Sequence, residues 1–372
     1  MSMLEIRDPI HGTVALSDCE SALLDTPQMQ RLRLVRQLAM AHLVYPGANH
    51  TRFEHSIGTL FLAGRICRQL GLPQEQSAQV RAAALLHDIG HPPFSHEAEA
   101  VLAPITGDHE KVGRSLLRSS EVADVLGRHF SGKDISGMEQ SPLGQIISSD
   151  VGADRMDYLL RDSHYTGVAY GVIDAERICS TLSLSEKGLL VKESGLEAAE
   201  SLLVARATMF STVYFHKTVR IASRMLQEAI ATAIADCSLE PENSFSLGDA
   251  GMLSEISKSP KAKPLVEMLL ARRLYKKALG VPFTAAAKIG RERAEKELSS
   301  ECGCPVLVDL PLPHAGAGVP LLKKDGKVEP LSDCSELVSS LARVQKSRLE
   351  ALVVCRAADV QKVAAAASRL YS

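Results

Sequence analysis

Leu85-Leu86-His87-Asp88-Ile89-Gly90-His91 is the stretch on which the reading turns. It closes an Ala/Leu-rich run, 75–90, that reads as a deeply buried helix ended by Pro92-Pro93. An adjacent imidazole and carboxylate suit a borderline divalent cation. A lone His-Asp pair also serves as an ion pair or a cap, but this one has company. His91 lies one helical turn past His87. His96 and Glu99 follow the Pro-Pro break, His109-Glu110 follows Gly107, and His55 stands upstream between Glu54 and Ser56. Ten of the 12 His (His11, His42, His50, His55, His87, His91, His96, His109, His129 and His164) fall within the first 164 residues. Histidines satisfied singly in a core do not account for such crowding.

Working outward, residues 4–18 read as strand, Pro-Ile-His-Gly turn and strand. Asp25-Thr26-Pro27 predicts a helix start, with Asp25 or Thr26 as cap and apolar positions Met29, Leu32, Val35, Leu38 and Leu43. Helices are further expected at 51–70, 95–103, 109–118, 120–128, 142–162, 195–238 and 248–279. Beyond about residue 300 the pattern changes. It reads as a strand at 306–310, a hairpin at 319–331 turning on Asp325-Gly326, a helix at 335–346, a strand at 349–355 and a helix at 358–370. The Gly/Ala-rich stretch 314–318 reads as a flexible loop. The expected fold is mostly α, a helical domain over 1–285 with a small α+β C-terminal lobe over 286–372.

Composition excludes several classes. With 45% hydrophobic and 23% charged residues, the chain reads as globular and soluble. A net charge of −2, 4% aromatics and no Trp argue against nucleic acid as the main partner. Apolar runs break well before the ~20 residues of a membrane span. The N-terminus MSMLEIRDPIHG lacks a basic and an apolar leader region, so the expected location is cytoplasmic. The eight scattered Cys read as free thiols, and Cys302-Gly303-Cys304 without a second pair is a weak zinc signal.

Two further polar patterns stand out. Asp154, Tyr158 and Asp162 recur at i, i+4, i+8, so a carboxylate, a phenol and a carboxylate share one helix face. The plainer reading is a solvated face with Asp/Arg pairs. Arg206 with Tyr214, His216 and Lys217 would suit a polyphosphate, or equally a basic surface helix.

His55, His87-Asp88 and Asp154 resemble the four-ligand pattern of the HD-domain metal-dependent phosphohydrolases. Asp8-Pro9-Ile10-His11-Gly12, residues 25–33, 46–56, 85–96 and 154–162 strongly resemble its deoxynucleoside triphosphate triphosphohydrolase branch, over roughly residues 4–225. No sterile-alpha-motif segment is expected before the HD region. The resemblance implies metal ligands His55, His87, Asp88 and Asp154, with Mn, Fe, Mg, Zn, Co or Ni as the divalent ion. It implies His91, His96, Glu99, His109 and Glu110 over the phosphates as acid/base and orienting groups. Arg52, Arg206, Tyr214 and Lys217, with His216 beside them, would face the triphosphate. Gln37, Tyr158 and Asp162 would touch the sugar, Tyr158 selecting deoxyribose.

The implied reaction is hydrolysis of a dNTP to deoxynucleoside and triphosphate, with His96 or His109 protonating the 5′-oxygen. The alternatives are an HD phosphohydrolase acting on another phosphoester, and a nucleotide-binding regulator without turnover. A homo-oligomer, dimer or tetramer, is expected from the family. Asp25, Gln30 and Arg33 match positions that bind an activating nucleotide in the regulated enzyme, although Arg7 stands where that enzyme has Asn. Gly152 stands where relatives often carry an acid, with Asp150 nearby.

Overall fold

The computed structural model describes residues 4–130, 135–311, 318–347 and 349–372. Helices Arg52–Gln69 and Gln74–Leu86 form the frame and pack closely on each other. Ala82 through Leu86 are all buried, as the apolar run predicts. This helix stops at Leu86 rather than Gly90, and His87–Gly90 form turns. His91 therefore reaches the same face by a turn and not by a helical repeat. Helix Ala153–Thr166 crosses the frame against Arg52–Gln69. Gly58 permits the approach, because a Cβ there would fall 1.8 Å from Asp157 Oδ1.

The N-terminal hairpin is as expected: β1 (Leu4–Asp8) pairs antiparallel with β2 (Gly12–Leu16). The expected helix beginning at Asp25 is not continuous. A helix absent from the sequence reading, Asp18–Leu24, starts at a Ser17/Glu20 capping box. Asp25 closes that helix instead of opening the next, and Thr26 is the N-cap position of the short helix Pro27–Arg31. Isolated 3₁₀ turns, Leu32–Leu34 and Ala39–Leu43, replace the rest. Three long helices are likewise divided. The 142–162 segment breaks at 149–152. The 195–238 segment becomes Leu196–Met209, a π turn Phe210–Tyr214 and Lys217–Ala235. The 248–279 segment becomes Asp249–Ile256 and Lys263–Leu270.

The remaining strands are β3 (Leu182–Ser185), β4 (Gly188–Lys192), β5 (Lys276–Pro282), β6 (Val306–Asp309), β7 (Pro320–Leu322), β8 (Val328–Pro330) and β9 (Glu350–Cys355). β3 and β4 were not expected, and β5 occupies the end of an expected helix. The order β5-β9-β6 makes an antiparallel sheet with its own core of Val281, Leu298, Val306, Val353 and Val363. β5 lies on the N-terminal side of residue 285 yet belongs to this C-terminal layer. The β7–β8 hairpin turns on Asp325-Gly326 as expected, with Gly326 at φ +87°. It joins the other body: β7 runs parallel to β4, giving the order β3-β4-β7-β8, and Leu321 and Leu331 enter the main core. Of the expected loop 314–318, residues 314–317 lie outside the described residues. No helix among the described residues is long and apolar enough to cross a membrane.

Candidate metal centre

Three segments converge on one point. The first turn of Arg52–Gln69 carries His55, the turn that follows Gln74–Leu86 carries His87 and Asp88, and the first turn of Ala153–Thr166 carries Asp154. His55, His87 and Asp154 each offer a donor atom within 4.8 Å of the other two. His55 Nε2 lies 3.0 Å and His87 Nε2 3.8 Å from Asp154 Oδ1. Asp88, the fourth expected ligand, faces two ways. Its Oδ1 lies 3.4 Å from His87 Nε2 and 3.3 Å from His91 Nε2, while its Oδ2 lies 3.7 Å from His55 Nε2 and accepts from Arg52.

The set fits a divalent cation. His87 Nδ1 donates to Ala84 O at 2.8 Å, so in the neutral ring the other nitrogen carries the lone pair, and that Nε2 is buried without a hydrogen bond. His55 Nδ1 donates to Asp157 Oδ2 at 2.7 Å. A ligating His is held in this way, one nitrogen fixed by a carbonyl or carboxylate and the other presented to the ion. Burial works against charge on His55, but Asp154, Asp157 and Asp88 outweigh it and raise its pKa to about 10. Burial likewise opposes ionised Asp88, yet the Arg52 guanidinium holds that carboxyl well below its usual range.

Asp157 was not singled out by the sequence. It is fully buried and accepts from His55, from His11 Nε2 at 2.7 Å, and twice from Arg161 at 2.9 Å. Arg161 also donates to Asp8 Oδ2 at 2.9 Å, and Asp8 Oδ1 accepts the backbone N–H of Ile10 and His11. The Pro-Ile-His-Gly turn is thus tied to the centre through one carboxylate. The sequence signal was the i, i+4 spacing of Asp157 and Arg161.

Beside this centre lies a second cluster. His91, His96, Glu99 and His109 each offer an atom within 4.8 Å of the others. Glu99 accepts from His109 Nδ1 at 2.6 Å and His96 Nδ1 at 2.9 Å, and the His91 and His109 rings stack at 3.9 Å. Burial and then Arg52 push the His91 pKa well below 6.5, so that ring is neutral. Burial also lowers His109, but Glu99 reverses this and raises it. Glu110, expected here, is exposed and pairs with Arg114 at 3.5 Å, because the residue after the helix start points away from the cluster.

The substrate-binding expectation divides. Asp162 accepts Tyr214 Oη–H at 2.5 Å and bonds His50 Nε2 at 2.8 Å. The Tyr158 and Tyr214 rings meet edge-on at 6.3 Å. Burial pushes the Tyr158 phenol up to about 12, which keeps it a neutral donor. Gln37 donates its backbone N–H to His50 O at 3.0 Å, and its Oε1 is buried without a partner. His50 was missed by the sequence reading. Arg206 pairs with Asp150 at 3.2 Å, and Arg52 lies buried under Asp88 and Ser95. His216 accepts the N–H of Thr218 as a helix cap at 3.2 Å, and Lys217 is exposed beyond it. At the proposed regulatory position, Asp25 is exposed, Gln30 donates to Leu24 O at 2.8 Å, and Arg33 lies 3.6 Å from the centre of the Phe53 ring.

Fold and site define a helical phosphohydrolase built round a His/Asp centre. Residues 52–162 match the HD domain and residues 173–372 the HD-associated region. The chain belongs to this HD-domain family. It is 38% identical over 364 residues to an uncharacterized protein of Methanocaldococcus jannaschii, covering 91% of this chain and 76% of that one. It is 29% identical over 283 residues to the deoxynucleoside triphosphate triphosphohydrolase SAMHD1 of Bos taurus, covering 62% of this chain and 48% of that protein. Its fold superimposes on a hypothetical protein of Aquifex aeolicus at TM-score 0.83 and 32% identity, over 98% of this chain and 99% of that one. A phosphohydrolase of Bacteroides thetaiotaomicron superimposes at TM-score 0.77 and 25% identity, over 95% and 100%.

Proposed function

We propose that the chain hydrolyses deoxynucleoside triphosphates to deoxynucleoside and triphosphate. The observation that carries this reading is the single helix Ala153–Thr166. It offers Asp154 to the candidate centre at one end and, two turns on, Asp162 to His50 and Tyr214. Tyr158 lies between them. That spacing suits a sugar held between a phosphate end and a hydroxyl-binding end. The likeness to bovine SAMHD1 supports the same substrate class.

His55, His87, Asp88 and Asp154 would hold a divalent cation, with Mn, Fe, Mg, Zn, Co and Ni all compatible with two imidazoles and two carboxylates. When bound, such an ion polarises a phosphate oxygen and lowers the pKa of water. His109, whose pKa Glu99 raises, would give a proton to the departing 5′-oxygen, with His96 sharing the same carboxylate. Arg206 and Lys217 supply positive charge to the triphosphate after Arg206 leaves Asp150. A homo-oligomer, a cytoplasmic location and an activating nucleotide at Asp25, Gln30 and Arg33 complete the proposal.

The test is a panel of the four dNTPs with Mn²⁺, products resolved by anion-exchange chromatography. Intact triphosphate with the matching deoxynucleoside is expected. Orthophosphate or monophosphate products, or no turnover of any dNTP, count against the reading and favour another phosphoester.

A further inference from the structure

The segment before His96 is strained. Phe94 and Ser95 are consecutive non-glycine residues at φ +60° and +55°, a conformation that persists only where surrounding contacts enforce it. The contacts doing so come from four distant places. Asp249 Oδ1 accepts the Phe94 N–H at 2.9 Å, and Asp249 Oδ2 accepts the Arg36 N–H at 3.2 Å. Arg31 Nη2 donates to Ile89 O at 3.0 Å and His91 O at 2.7 Å, and its Nη1 donates to Leu247 O at 3.2 Å. Ser95 Oγ accepts from Arg52 Nε at 2.6 Å and donates to Arg36 O at 3.3 Å. Asp249, Arg31 and Ser95 are all buried, and Phe94 is 1% exposed within a core shared with Met225 and Met252.

None of these groups is in the His/Glu cluster, yet they fix the backbone on both sides of it. His91 is gripped at its carbonyl by Arg31. His96 and Glu99 begin a helix whose N-cap residue, Ser95, carries no side-chain cap bond and owes its conformation to the neighbours just named. Asp249 opens the helix Asp249–Ile256, far outside the segment that matches the HD domain.

We propose that Asp249, from the HD-associated region, and Arg31 are positioning residues that hold the Phe94–Ser95 turn and so set His96 and Glu99 beside His91 and His109. The inference rests on the phosphohydrolase reading for its kinetic test, and on geometry alone for its spectroscopic one. Misplacing an acid/base group by about 1 Å costs on the order of 100-fold in rate. Losing Asp249 frees the Phe94 N–H and lets Ser95 return to negative φ, which swings the start of the helix His96–Thr106. His55, His87 and Asp154 make no hydrogen bond to this turn, and Asp88 meets it only through Arg52.

The experiment compares full-length wild type, D249A and D249N. Expected for D249A is a kcat loss of about 30- to 100-fold, KM within about threefold, and unchanged Mn²⁺ stoichiometry. D249N keeps an acceptor for the Phe94 N–H but loses the acceptor for the Arg36 N–H and the ion pair with Arg36, so its loss is smaller, about three- to tenfold. Histidine ¹⁵N spectra of both variants should move His96 and His109 while His55 and His87 stay in place. If kcat stays within about threefold of wild type in both variants, or Mn²⁺ is lost along with kcat, the proposal is overturned. Should D249A not fold, D249N decides: wild-type kcat with unmoved His96 and His109 signals refutes it. If wild type turns over no phosphoester, the phosphohydrolase reading fails, and the histidine spectra still test the clamp.

Discussion

Asp157→Asn probes the buried network behind the candidate centre. The carboxylate has no exposed surface and answers four donors, two from Arg161 and one each from His11 and His55. Breaking a buried ion pair costs about 3–5 kcal/mol, and the lower end applies because Asn keeps the volume and one acceptor. At about 2 °C per kcal/mol for a chain of this size, Tm should fall by about 6 °C. His55 also loses the group that orients it, which lowers metal affinity about 10- to 100-fold. The deficit depends on pH. The folded His55 pKa is raised to about 10, so its contribution is full below its unfolded value near 6.5 and fades as pH climbs through 10. The destabilisation of the metal-free variant should therefore shrink between pH 6.5 and 10. Calorimetry without metal and a Mn²⁺ titration measure both effects. A Tm within about 1 °C of wild type together with unchanged Mn²⁺ affinity would refute the argument.

Three further outcomes follow from single contacts. Gly58→Ala places a Cβ 1.8 Å from Asp157 Oδ1 and 2.4 Å from Arg161 Nη2, so it should cost about 1–3 kcal/mol and weaken metal binding. Gly127→Ala, in a helix with nothing within 4 Å, is the control and should be neutral or stabilising by thermal melt. Glu99→Gln removes the largest influence raising His109 and leaves Asp88 alone against burial and Arg52, so the basic limb of kcat against pH should move down. An unmoved limb would assign the proton to another residue. Burial pushes Cys19, Cys67, Cys179 and Cys355 up to about 11, whereas Cys237 is exposed. Ellman titration at pH 8 should label Cys237 in the native protein and those four only on denaturation.

The two frame helices Arg52–Gln69 and Gln74–Leu86 were legible because their apolar pattern is a local property, and so was the convergence of His55, His87 and Asp154 through a motif. The failures have physical causes. Lys276–Pro282 is rich in helix-forming Lys, Ala and Leu, and becomes a strand only because Glu350–Cys355 lies beside it. Leu182-Ser183-Leu184-Ser185, with Gly188 at φ +117°, did carry a two-residue alternation and a turn that identify β3–β4. The break at Phe215-His216 carries no Pro or Gly. It is made by a π turn and by His216 as cap. His11, His50 and Asp157 acquire their roles from partners more than a hundred positions away, which spacing along one helix does not reveal.

The parallel pairing of Val191 with Leu321 has a consequence for how the chain must be made. β4 is buried at Gly188 through Val191; Gln145 Oε1 accepts the Leu189 N–H, while among the described residues the second edge at Val191 and Lys192 is paired by a strand synthesised some 130 residues later. Until then the edge at Val191-Lys192, beside the buried Leu190, is open, the kind that recruits other chains. The half bearing the His/Asp centre therefore cannot be cut out as an independent piece at residue 285 without leaving that edge bare. Any shortened version made for crystallography or engineering should retain the hairpin 320–330, even when the outer β5-β9-β6 layer is replaced.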